Sequence, residues 1–354
     1  MSAPAPTLSV IVPAHFGGEG LGRCVAALRA ATPPPDEIVV VADGETDGAW
    51  RGFDGPDLRV IVRPHAGGPA AARNAGARAA RGDVLFFVDA DVVVRPDTLA
   101  RVRRAFAEDA GLAALIGSYD DTPGDPGFLS QYRNLLHHHT HQTAHGEART
   151  FWGACGAIRQ AAFHAVGGFD EAYREPSVED IELGYRLVRA GHGIRLLKDL
   201  QVTHLKRWTA GRLLRTDVLA RAAPWTELLL DAGSVENNLN VDRRGRLSLA
   251  ALAVGGAAAL LSPWAPLPAL VVGGSAAVLF AGLNAPFYRF LYRKRGAPFM
   301  LKAVPWHVLY YVSGGLGLAI GATRYVRRRL SQSPPAGAPQ HLTTAPGTAP
   351  RAHG

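Results

Sequence analysis

The sequence predicts an α/β domain followed by a membrane region. Residues 8 to about 240 alternate apolar segments of strand length with segments of helical apolar spacing. The segment 84–88 is apolar throughout, which is typical of a strand in the middle of a parallel sheet. From residue 247 onward, three apolar runs follow one another beside clusters of basic residues. We therefore expect a mostly parallel sheet with helices on both faces, and then transmembrane or interfacial helices.

The individual elements follow from apolar spacing and from breaker residues. The predicted elements are a strand at 8–12 ended by Pro13, a helix at 20–31, strands at 38–41 and 58–62, a small-residue helix at 70–80 and a strand at 84–88. Three successive prolines at 33–35 end the first helix. Ligands in such sheets bind beyond the carboxyl ends of the strands, so the residues after each strand are the first place to look for a site.

The chain divides into four predicted parts. These are a flexible N-terminus at 1–7, a catalytic domain at 8–240, a membrane region at 241–325 with helices near 247–262, 267–283 and 303–322, and a basic and then disordered tail at 326–354. Two of the apolar runs are short for a bilayer, so buried core helices are the alternative. Basic triplets beside the runs favour membrane insertion, with the first two runs as a hairpin whose ends are cytoplasmic. The third run either spans the membrane or lies in the interface.

Charge distribution excludes a nucleic-acid-binding surface. The chain has 354 residues, with 38 Lys and Arg against 30 Asp and Glu. After Asn240 there are 13 basic residues and one acidic residue, so the positive charge lies beside the apolar runs and not on the predicted domain. Two cysteines cannot form a disulfide framework or a zinc site, which indicates a reducing compartment. No secretory signal is expected at the N-terminus.

Carboxylates follow two of the predicted strands. Asp89 and Asp91 come directly after the strand at 84–88, where both can reach one ligand. Hard oxygen ligands suit Mg²⁺ or Mn²⁺, which usually also bind substrate phosphates. Asp43 ends the strand at 38–41, where it can accept hydrogen bonds from a nucleotide base or ribose. A solvated turn is the alternative at both places.

A third acidic group begins a predicted helix. Glu179, Asp180 and Glu182 precede the helically spaced pair Leu183 and Leu187, and the helix dipole favours carboxylates at this end. The alternative is that these acids only cap the helix.

In this order, the signals resemble family 2 glycosyltransferases, a group with the GT-A nucleotide-sugar fold. The resemblance covers roughly residues 8–210. It includes Ser9-Val10-Ile11-Val12-Pro13-Ala14, Asp43-Gly44, Ala72-Arg73-Asn74-Ala75-Gly76, Asp89-Ala90-Asp91, Gly167-Gly168-Phe169-Asp170-Glu171 and Glu179-Asp180-Ile181-Glu182. No single piece is specific, but the ordered set is.

The resemblance implies roles for the carboxylates. Asp43 would hold the base of a nucleotide diphosphate sugar, Asp89 would face the ribose and a divalent metal, and Asp91 would bind that metal. Asp180 would be the general base that takes a proton from the acceptor hydroxyl, with inversion at the sugar carbon. The metal, Mg²⁺ or Mn²⁺, would stabilise the leaving diphosphate.

The resemblance also places Pro13 and Arg73 among the nucleotide-sugar-binding residues. A UDP-sugar is the favoured donor, although many members have two acids where this chain has Ala42 and Asp43, and Ser where it has Glu45. These departures leave other nucleotides open.

His204 begins a stretch that differs from the motif of processive members. Those enzymes have Gln-x-x-Arg-Trp where this chain has His204, then Arg207 and Trp208. We expect His204 to be a ligand of the metal or diphosphate, and a structural histidine at a strand end is the alternative. Arg207 and Trp208 are acceptor-site candidates.

Two further features are a pair of acceptor-site candidates and a group of histidines. Trp152 lies in a segment that resembles the acceptor-site lining of the family, and Glu179 beside the base is a second candidate; core packing is the alternative for Trp152. His137, His141 and His145 share one face if the helix continues through them, which would suit zinc, but a polar helix facing the acceptor or the membrane is the favoured interpretation.

The expected function is therefore an inverting, metal-dependent glycosyltransferase held at the cell membrane by a hairpin or several spans, with its catalytic domain in the cytoplasm. Its expected partners are a nucleotide diphosphate sugar and a lipid or lipid-linked glycan, with no nucleic acid. The alternatives are a processive polysaccharide synthase and a catalytically silent membrane protein that binds nucleotide sugars. A dinucleotide-dependent oxidoreductase is disfavoured because Pro13-Ala14-His15 follows the first strand in place of a Gly-x-Gly-x-x-Gly turn.

Overall fold

A computed structural model of the chain describes residues 5–15, 18–44, 49–53, 55–233 and 242–332. The strands are β1 (Leu8–Ala14), β2 (Glu37–Asp43), β3 (Leu58–Arg63), β4 (Val84–Val88), β5 (Val92–Val94), β6 (Ala114–Tyr119), β7 (Glu147–Ala148), β8 (Cys155–Arg159) and β9 (Ile194–His204). They form one sheet in the order β3-β2-β1-β4-β8-β6-β9-β5, and β7 pairs with β9. The predicted α/β class with a nucleotide-binding type of sheet is confirmed.

The first half of the sheet is parallel, as the sequence predicts. β1 lies between β2 and β4 and is parallel to both. The strand continues through Pro13 to Ala14, beyond its predicted end. The β1–β4 ladder ends at the pair Ile11 and Phe87, so Pro13 has a strand neighbour only on the β2 side, opposite Val41. A proline is tolerated at such a one-sided position because it has no N–H to donate.

The second half of the sheet contains both parallel and antiparallel pairs. β8 is antiparallel to both β4 and β6, whereas β6 and β9 are parallel. β4, β6 and β9 consequently point the same way, and their carboxyl ends lie at one edge. β8 is buried over Cys155–Ile158. Short apolar segments of this kind do not reveal their direction, because direction is decided by pairing.

Helices cover both faces of the sheet. The α-helices that precede residue 233 are α1 (Glu19–Arg29), α2 (Gly68–Ala79), α3 (Thr98–Glu108), α4 (Phe128–Thr143), α5 (Gln160–Ala165), α6 (Glu179–Arg189), α7 (Ala210–Arg215) and α8 (Ala223–Ala232). α1 and α3 pack on one face around Phe86, and α2, α5 and α6 pack on the other around Phe87. These two residues are neighbours in β4, so the strand presents a phenylalanine to each core.

Two long helices follow: α9 (Arg243–Leu261) and α10 (Pro266–Gln332). α10 is interrupted at Gly296, whose φ of 81° is a left-handed conformation that favours glycine. The second predicted helix, expected to end at 283, therefore continues to 295, and residues 326–332 of the predicted tail are helical. Residues 243–261 and 266–331 are each long and apolar enough to cross a bilayer. The rest of the predicted tail lies outside the described residues.

α10 packs closely against a π-helical segment, Thr216–Ala222, and against the start of α8. A Cβ atom on Gly317 would overlap Ala222, and one on Gly321 would overlap the carbonyl oxygen of Ala223. Small residues at these two positions let the helix backbones approach each other. α4 makes a second contact with α10, through Tyr132, Leu135 and Phe287.

We expect Gly317→Ala to lower the stability of the full chain by about 1–3 kcal/mol, because the added methyl group overpacks the contact with Ala222. Gly314→Ala is the matched control, since a Cβ atom there has no neighbour within 4 Å. The control should be neutral or stabilising because alanine is the better helix former. Thermal unfolding of both variants in detergent, followed by tryptophan fluorescence, measures the difference; equal midpoints would contradict the close approach.

Candidate active site

The carboxyl ends of three strands bring the predicted site residues to one edge of the sheet. Asp43 ends β2, Asp89 and Asp91 follow β4, and His204 ends β9. The pairing of β5 with β9 places Val92 opposite His204, so the aspartates after β4 come beside that histidine. Residues more than 110 positions apart in sequence are joined here by strand register.

Arg73 is the buried cation of this edge. Its Nη2 donates to Asp89 Oδ1 at 2.8 Å and its Nη1 donates to Glu179 Oε1 at 2.9 Å. Burial acts to lower the pKa of Arg73, but the neighbouring carboxylates outweigh it and raise the pKa above its usual value. Gly153 lies directly against the guanidinium, where a Cβ atom would come within 2.8 Å of Cζ. Arg73 thus joins the end of β4 to the start of α6.

Asp91 and His204 form the part of the site that fits a divalent ion. His204 Nε2 lies 3.6 Å from Asp91 Oδ2, and the His204 ring stacks on Tyr119 with centroids 4.2 Å apart. Burial acts to raise the pKa of Asp91, and its interaction with His204 lowers the pKa below the usual value, which favours the ionised ligand form. Two ligands 3.6 Å apart can share one ion with bonds of about 2.1 Å.

The described residues contain no group of three His, Cys, Asp or Glu side chains placed to hold a metal by themselves. Mg²⁺ typically takes one or two carboxylates and completes its shell with water and substrate phosphates. The Asp91 and His204 pair fits an ion of this kind, which would depend on a phosphate-bearing substrate for its remaining ligands.

Asp180 stands at the N-terminus of α6. Its Oδ2 accepts from the backbone N–H of Gly153 at 3.1 Å, and its Oδ1 accepts from the backbone N–H of Ile181 at 2.8 Å. Burial and, next, the charge of Glu179 raise the pKa of Asp180 to about 6, with Arg73 opposing the shift. A carboxylate tuned close to neutral pH is suited to general-base catalysis.

Asp43 is buried, and its carboxylate already has several protein donors. Arg63 Nη1 lies 2.5 Å from Oδ1, while the N–H groups of Gly67 and Gly68 lie 3.0 and 2.8 Å from Oδ2. The side chain therefore holds the turn that leads into α2. Its predicted contact with a nucleotide base, like that of Pro13 in β1, stays a prediction.

Glu179 is also engaged within the protein. Its Oε1 accepts from Arg73 and its Oε2 accepts from the backbone N–H of Ser177 at 2.9 Å. These contacts indicate that Glu179 positions Arg73. They do not support the prediction that Glu179 contacts the acceptor.

Trp152 lies in an aromatic wall beside these carboxylates. Its ring meets Tyr119 edge-on at 4.8 Å and lies 4.7 Å from His137. Desolvation, with His141 as the next cause, lowers the pKa of His137 well below its usual value, so the wall is uncharged at neutral pH. A half-buried, uncharged aromatic wall suits contact with a sugar or an apolar chain.

The histidine cluster has structural contacts and no metal-binding arrangement among the described residues. The Nδ1 atoms of His138 and His141 bond to the carbonyl oxygens of Tyr119 and Gly117. α4 ends at Thr143, so His145 lies outside the helix and does not share the predicted face. The zinc alternative is thereby wrong for this triplet.

Arg207 and Trp208 point to different surroundings. Arg207 is exposed, whereas Trp208 is buried. The backbone N–H of Trp208 donates to Ser130 Oγ at 2.9 Å, and its ring centroid lies 5.9 Å from Arg133 Cζ. Their acceptor roles stay predictions. Sequence reasoning missed Tyr119 and Gly153, because neither belongs to a charged motif; the available signal was their position at the end of β6 and just before β8.

Comparison with known proteins agrees with this geometry. Residues 9–167 match the family model of glycosyl transferase family 2, and residues 133–208 match the model described as the N-terminal domain of galactosyltransferase. Both the aspartates after β4 and the start of α4 fall within the first match.

Curated relatives resemble slightly more than half of the chain. The pre-mycofactocin glycosyltransferase of Mycobacterium tuberculosis is 29% identical over 221 residues, covering 57% of this chain and 44% of the relative. The validoxylamine A glucosyltransferase of Streptomyces hygroscopicus subsp. limoneus is 30% identical over 225 residues, covering 53% and 49%. The chain thus spans about half the length of the curated relatives it matches.

A solved structure shares the fold over most of the chain. The mannosyltransferase of Pyrobaculum calidifontis, in complex with GDP-Man and Mn²⁺, has a TM-score of 0.53 and 18% identity, and the match covers 92% of this chain and 88% of that one. The similarity extends beyond the catalytic domain into the C-terminal helices, and it confirms the GT-A fold.

We expect Arg73→Met to lower the free energy of unfolding by about 3–5 kcal/mol, because it leaves the buried Glu179 carboxylate unpaired. The double variant Arg73→Met/Glu179→Gln should recover part of that loss. Arg78→Met is the matched control on the same helix, since Arg78 is exposed and its pair with Glu171 is 3.5 Å long. Denaturant unfolding in detergent measures all three; a double variant as unstable as the single one would contradict the pairing.

Proposed function

Because residues 9–167 match the family model of glycosyl transferase family 2, we propose that the chain transfers a sugar from a nucleotide diphosphate sugar to an acceptor hydroxyl with inversion at the anomeric carbon. The observation that carries this proposal is Asp180, a carboxylate with a pKa raised to about 6. It is connected through Arg73 to the strand end that bears Asp89. In this proposal the base Asp180 and the diphosphate site near Asp89 lie on opposite sides of the buried Arg73.

The donor site of the proposal is the edge formed by Asp89, Asp91 and His204. A divalent ion bound at Asp91 and His204 would supply Lewis-acid stabilisation of the departing diphosphate. Arg73 fixes the orientation of Asp89, whose other oxygen remains available for a ribose hydroxyl. A UDP-sugar is the donor we favour; the mannosyltransferase of similar fold was solved with GDP-Man, so the nucleotide is part of what the experiment below determines.

Asp180 performs the proton transfer in this proposal. Its carboxylate accepts the proton of the acceptor hydroxyl as that oxygen bonds to the anomeric carbon, and the bond from that carbon to the diphosphate oxygen breaks. The electron pair of the broken bond leaves with the nucleoside diphosphate. The Gly153 and Ile181 N–H groups hold the carboxylate in place during this step.

We further propose that the acceptor is a lipid or lipid-linked glycan at the cytoplasmic face of the membrane. α9 and α10 are apolar and long enough to span a bilayer. Basic triplets at 293–295 and 327–329 and the arginines at 243, 244 and 246 are expected to stay on the cytoplasmic side. Both helices are attached to the catalytic domain, so they would hold the aromatic wall near the bilayer surface.

Two alternative functions predict different results in an activity assay. A processive polysaccharide synthase would extend one acceptor through many transfers, and a silent binding protein would retain nucleotide sugar without releasing the diphosphate. The carboxylate with a pKa near neutral argues against the silent protein, since binding alone does not need a base.

The test uses the full chain in detergent with a panel of nucleotide sugars, Mn²⁺ or Mg²⁺, and total membrane lipid. We expect release of nucleoside diphosphate from one donor, a strong increase with lipid, loss with EDTA, and a decrease of at least about 100-fold in Asp180→Asn, because a positioned base contributes about 10²–10⁴ in rate. Nucleotide binding should persist in that variant. Binding without release from any donor in the wild type would favour the silent protein.

The pH profile follows from the raised pKa of Asp180. The base must be ionised, so kcat/KM should rise with pH through about 6 and level off above it. The folded-state pKa lies above the usual 3.8, so the stability that the neutral form contributes is lost as pH rises from about 4 to 6. Steady-state rates and thermal midpoints between pH 4.5 and 8 measure both trends. A rate that is flat across this range would contradict the base role.

A further inference from the structure

The β6 loop, residues 120–125, lies directly against the end of the strand that carries His204. The N–H of Asp120 donates to the carbonyl oxygen of Val202 at 2.9 Å, and the N–H of Gly124 donates to the carbonyl oxygen of His204 at 2.8 Å. A Cβ atom on Gly124 would come within 2.6 Å of Leu205 Cδ2, so only glycine allows this approach. Two backbone hydrogen bonds therefore join the β6 loop to the end of β9.

The residue after His204 contacts the aspartate of the same proposed metal site. The N–H of Leu205 donates to the carbonyl oxygen of Asp91 at 2.8 Å, and Val92 pairs with His204 in the sheet. Residues 204–205 thus accept a hydrogen bond from the β6 loop on one side and donate one to Asp91 on the other. The separation of the two proposed metal ligands depends on the backbone position of this dipeptide.

Arg295 of α10 holds the β6 loop from the side of the C-terminal helices. Its Nη2 donates to the carbonyl oxygen of Asp121 at 2.6 Å and to Gln131 Oε1 at 2.8 Å, and its Nε donates to the same Gln131 oxygen at 3.2 Å. The side chain of Arg295 is half-buried. Hydrogen bonds from a charged donor are roughly twice as strong as those between neutral groups, so this contact fixes the β6 loop against α10.

Gln131 extends the contact to the far end of the β6 loop. Its Oε1 accepts from Arg295, while its Nε2 donates to the carbonyl oxygen of Asp125 at 2.8 Å. The guanidinium therefore holds the loop directly at Asp121 and, through Gln131, at Asp125. Gly124, the residue that bonds to His204, lies between these two points.

The local structure of α10 explains why an arginine occurs at this position. Gly296, with a φ of 81°, interrupts the helix directly after Arg295. The last carbonyl groups of a helix have no partner within it, and Arg295 Nη1 donates to the carbonyl oxygen of Lys294 at 3.1 Å. The helix dipole also favours a cation at this end. One side chain thus serves both the end of an apolar helix and the β6 loop.

We propose that Arg295 is a positioning residue for the metal ligand His204 and acts through the β6 loop. This inference rests on the proposed function, which assigns a divalent ion to Asp91 and His204. The hydrogen bonds run from Arg295 to the β6 loop, from that loop to His204, and from the next residue to Asp91. Groups around a metal site orient its ligands, and their loss typically lowers metal affinity by about 10–100-fold. The helix that ends at Arg295 consequently contributes to metal affinity.

The experiment measures Mn²⁺ binding to the full chain in detergent by electron paramagnetic resonance, with UDP in one series and GDP in a parallel series. We expect Arg295→Met to weaken Mn²⁺ binding by about 10-fold, because the β6 loop loses its contacts at Asp121 and Gln131. Arg295→Lys should recover part of the affinity, since an ammonium group can still donate to one of these oxygens. Arg293→Met is the matched control, because Arg293 is exposed and belongs to the same basic triplet.

A double-variant cycle separates positioning from a general structural effect. In a His204→Ala background, Asp91 and the nucleotide phosphates still supply ligands, so weakened Mn²⁺ binding is measurable. Arg295→Met should change that residual affinity by less than about 2-fold, because the ligand through which it acts is missing. An equal loss in both backgrounds would overturn the proposal, and so would an unchanged affinity of Arg295→Met beside intact His204.

Gln131→Leu is a second variant of the same chain of contacts. It removes the hydrogen bonds to Arg295 and to Asp125, and we expect it to weaken Mn²⁺ binding in the same direction. The thermal midpoint of each variant verifies that it is folded, and Gln131→Leu preserves the test if Arg295→Met is not.

Failure of this inference is distinguishable from failure of the proposed function. A wild-type chain that binds no Mn²⁺ with either nucleotide would overturn the proposed donor site and the role of Arg295 with it. Release of nucleoside diphosphate together with Mn²⁺ binding that is independent of Arg295 would overturn the positioning role alone.

Discussion

The site depends on one buried guanidinium that two carboxylates share. Arg73 reaches Asp89 at the end of β4 and Glu179 at the start of α6, and these two elements are 90 residues apart in sequence. Neither carboxylate could be buried at this place without the cation, since an unpaired buried charge costs several kcal/mol. The ion pairs therefore fix the distance between the strand end that faces the donor and the helix that carries the base.

The same constraint explains the glycine at position 153 and the raised pKa of Asp180. Only glycine leaves room for the Arg73 guanidinium, and the N–H of Gly153 is then free to donate to Asp180. Asp180 follows Glu179 directly, but the charge of Arg73 is already divided between two other carboxylates. Burial and the adjacent Glu179 thus outweigh the arginine, and the pKa of Asp180 rises to about 6. Positioning and activation of the base have one structural origin.

Most of the fold and a part of the candidate site could be predicted from the sequence. The parallel half of the sheet and its helices could be predicted because each strand there is a continuous apolar segment bounded by breakers. The pairing of Asp91 with His204 could only be expected from a resemblance, since it arises from the register of β5 on β9. The antiparallel β8 and the wall around Tyr119 were not predictable, because they depend on which surfaces meet. Asp43 shows the converse, because it is a motif residue whose carboxylate is held by Arg63 of β3 and by the turn that leads into α2.

The C-terminal helices contact the domain that holds the candidate site. α10 contacts the π-helical segment through glycine positions that admit backbone contact, and that segment is held to α4 by the buried pair of Arg133 and Asp217. An extra residue in a helical turn displaces the side chains after it around the helix axis, and such π-helical turns occur frequently at functional sites. Arg221 lies within this turn, between a contact to α10 and a contact to the loop before Asp180. Any displacement of α10 relative to the π-helical segment would therefore act on the contact that joins this segment to the loop before Asp180.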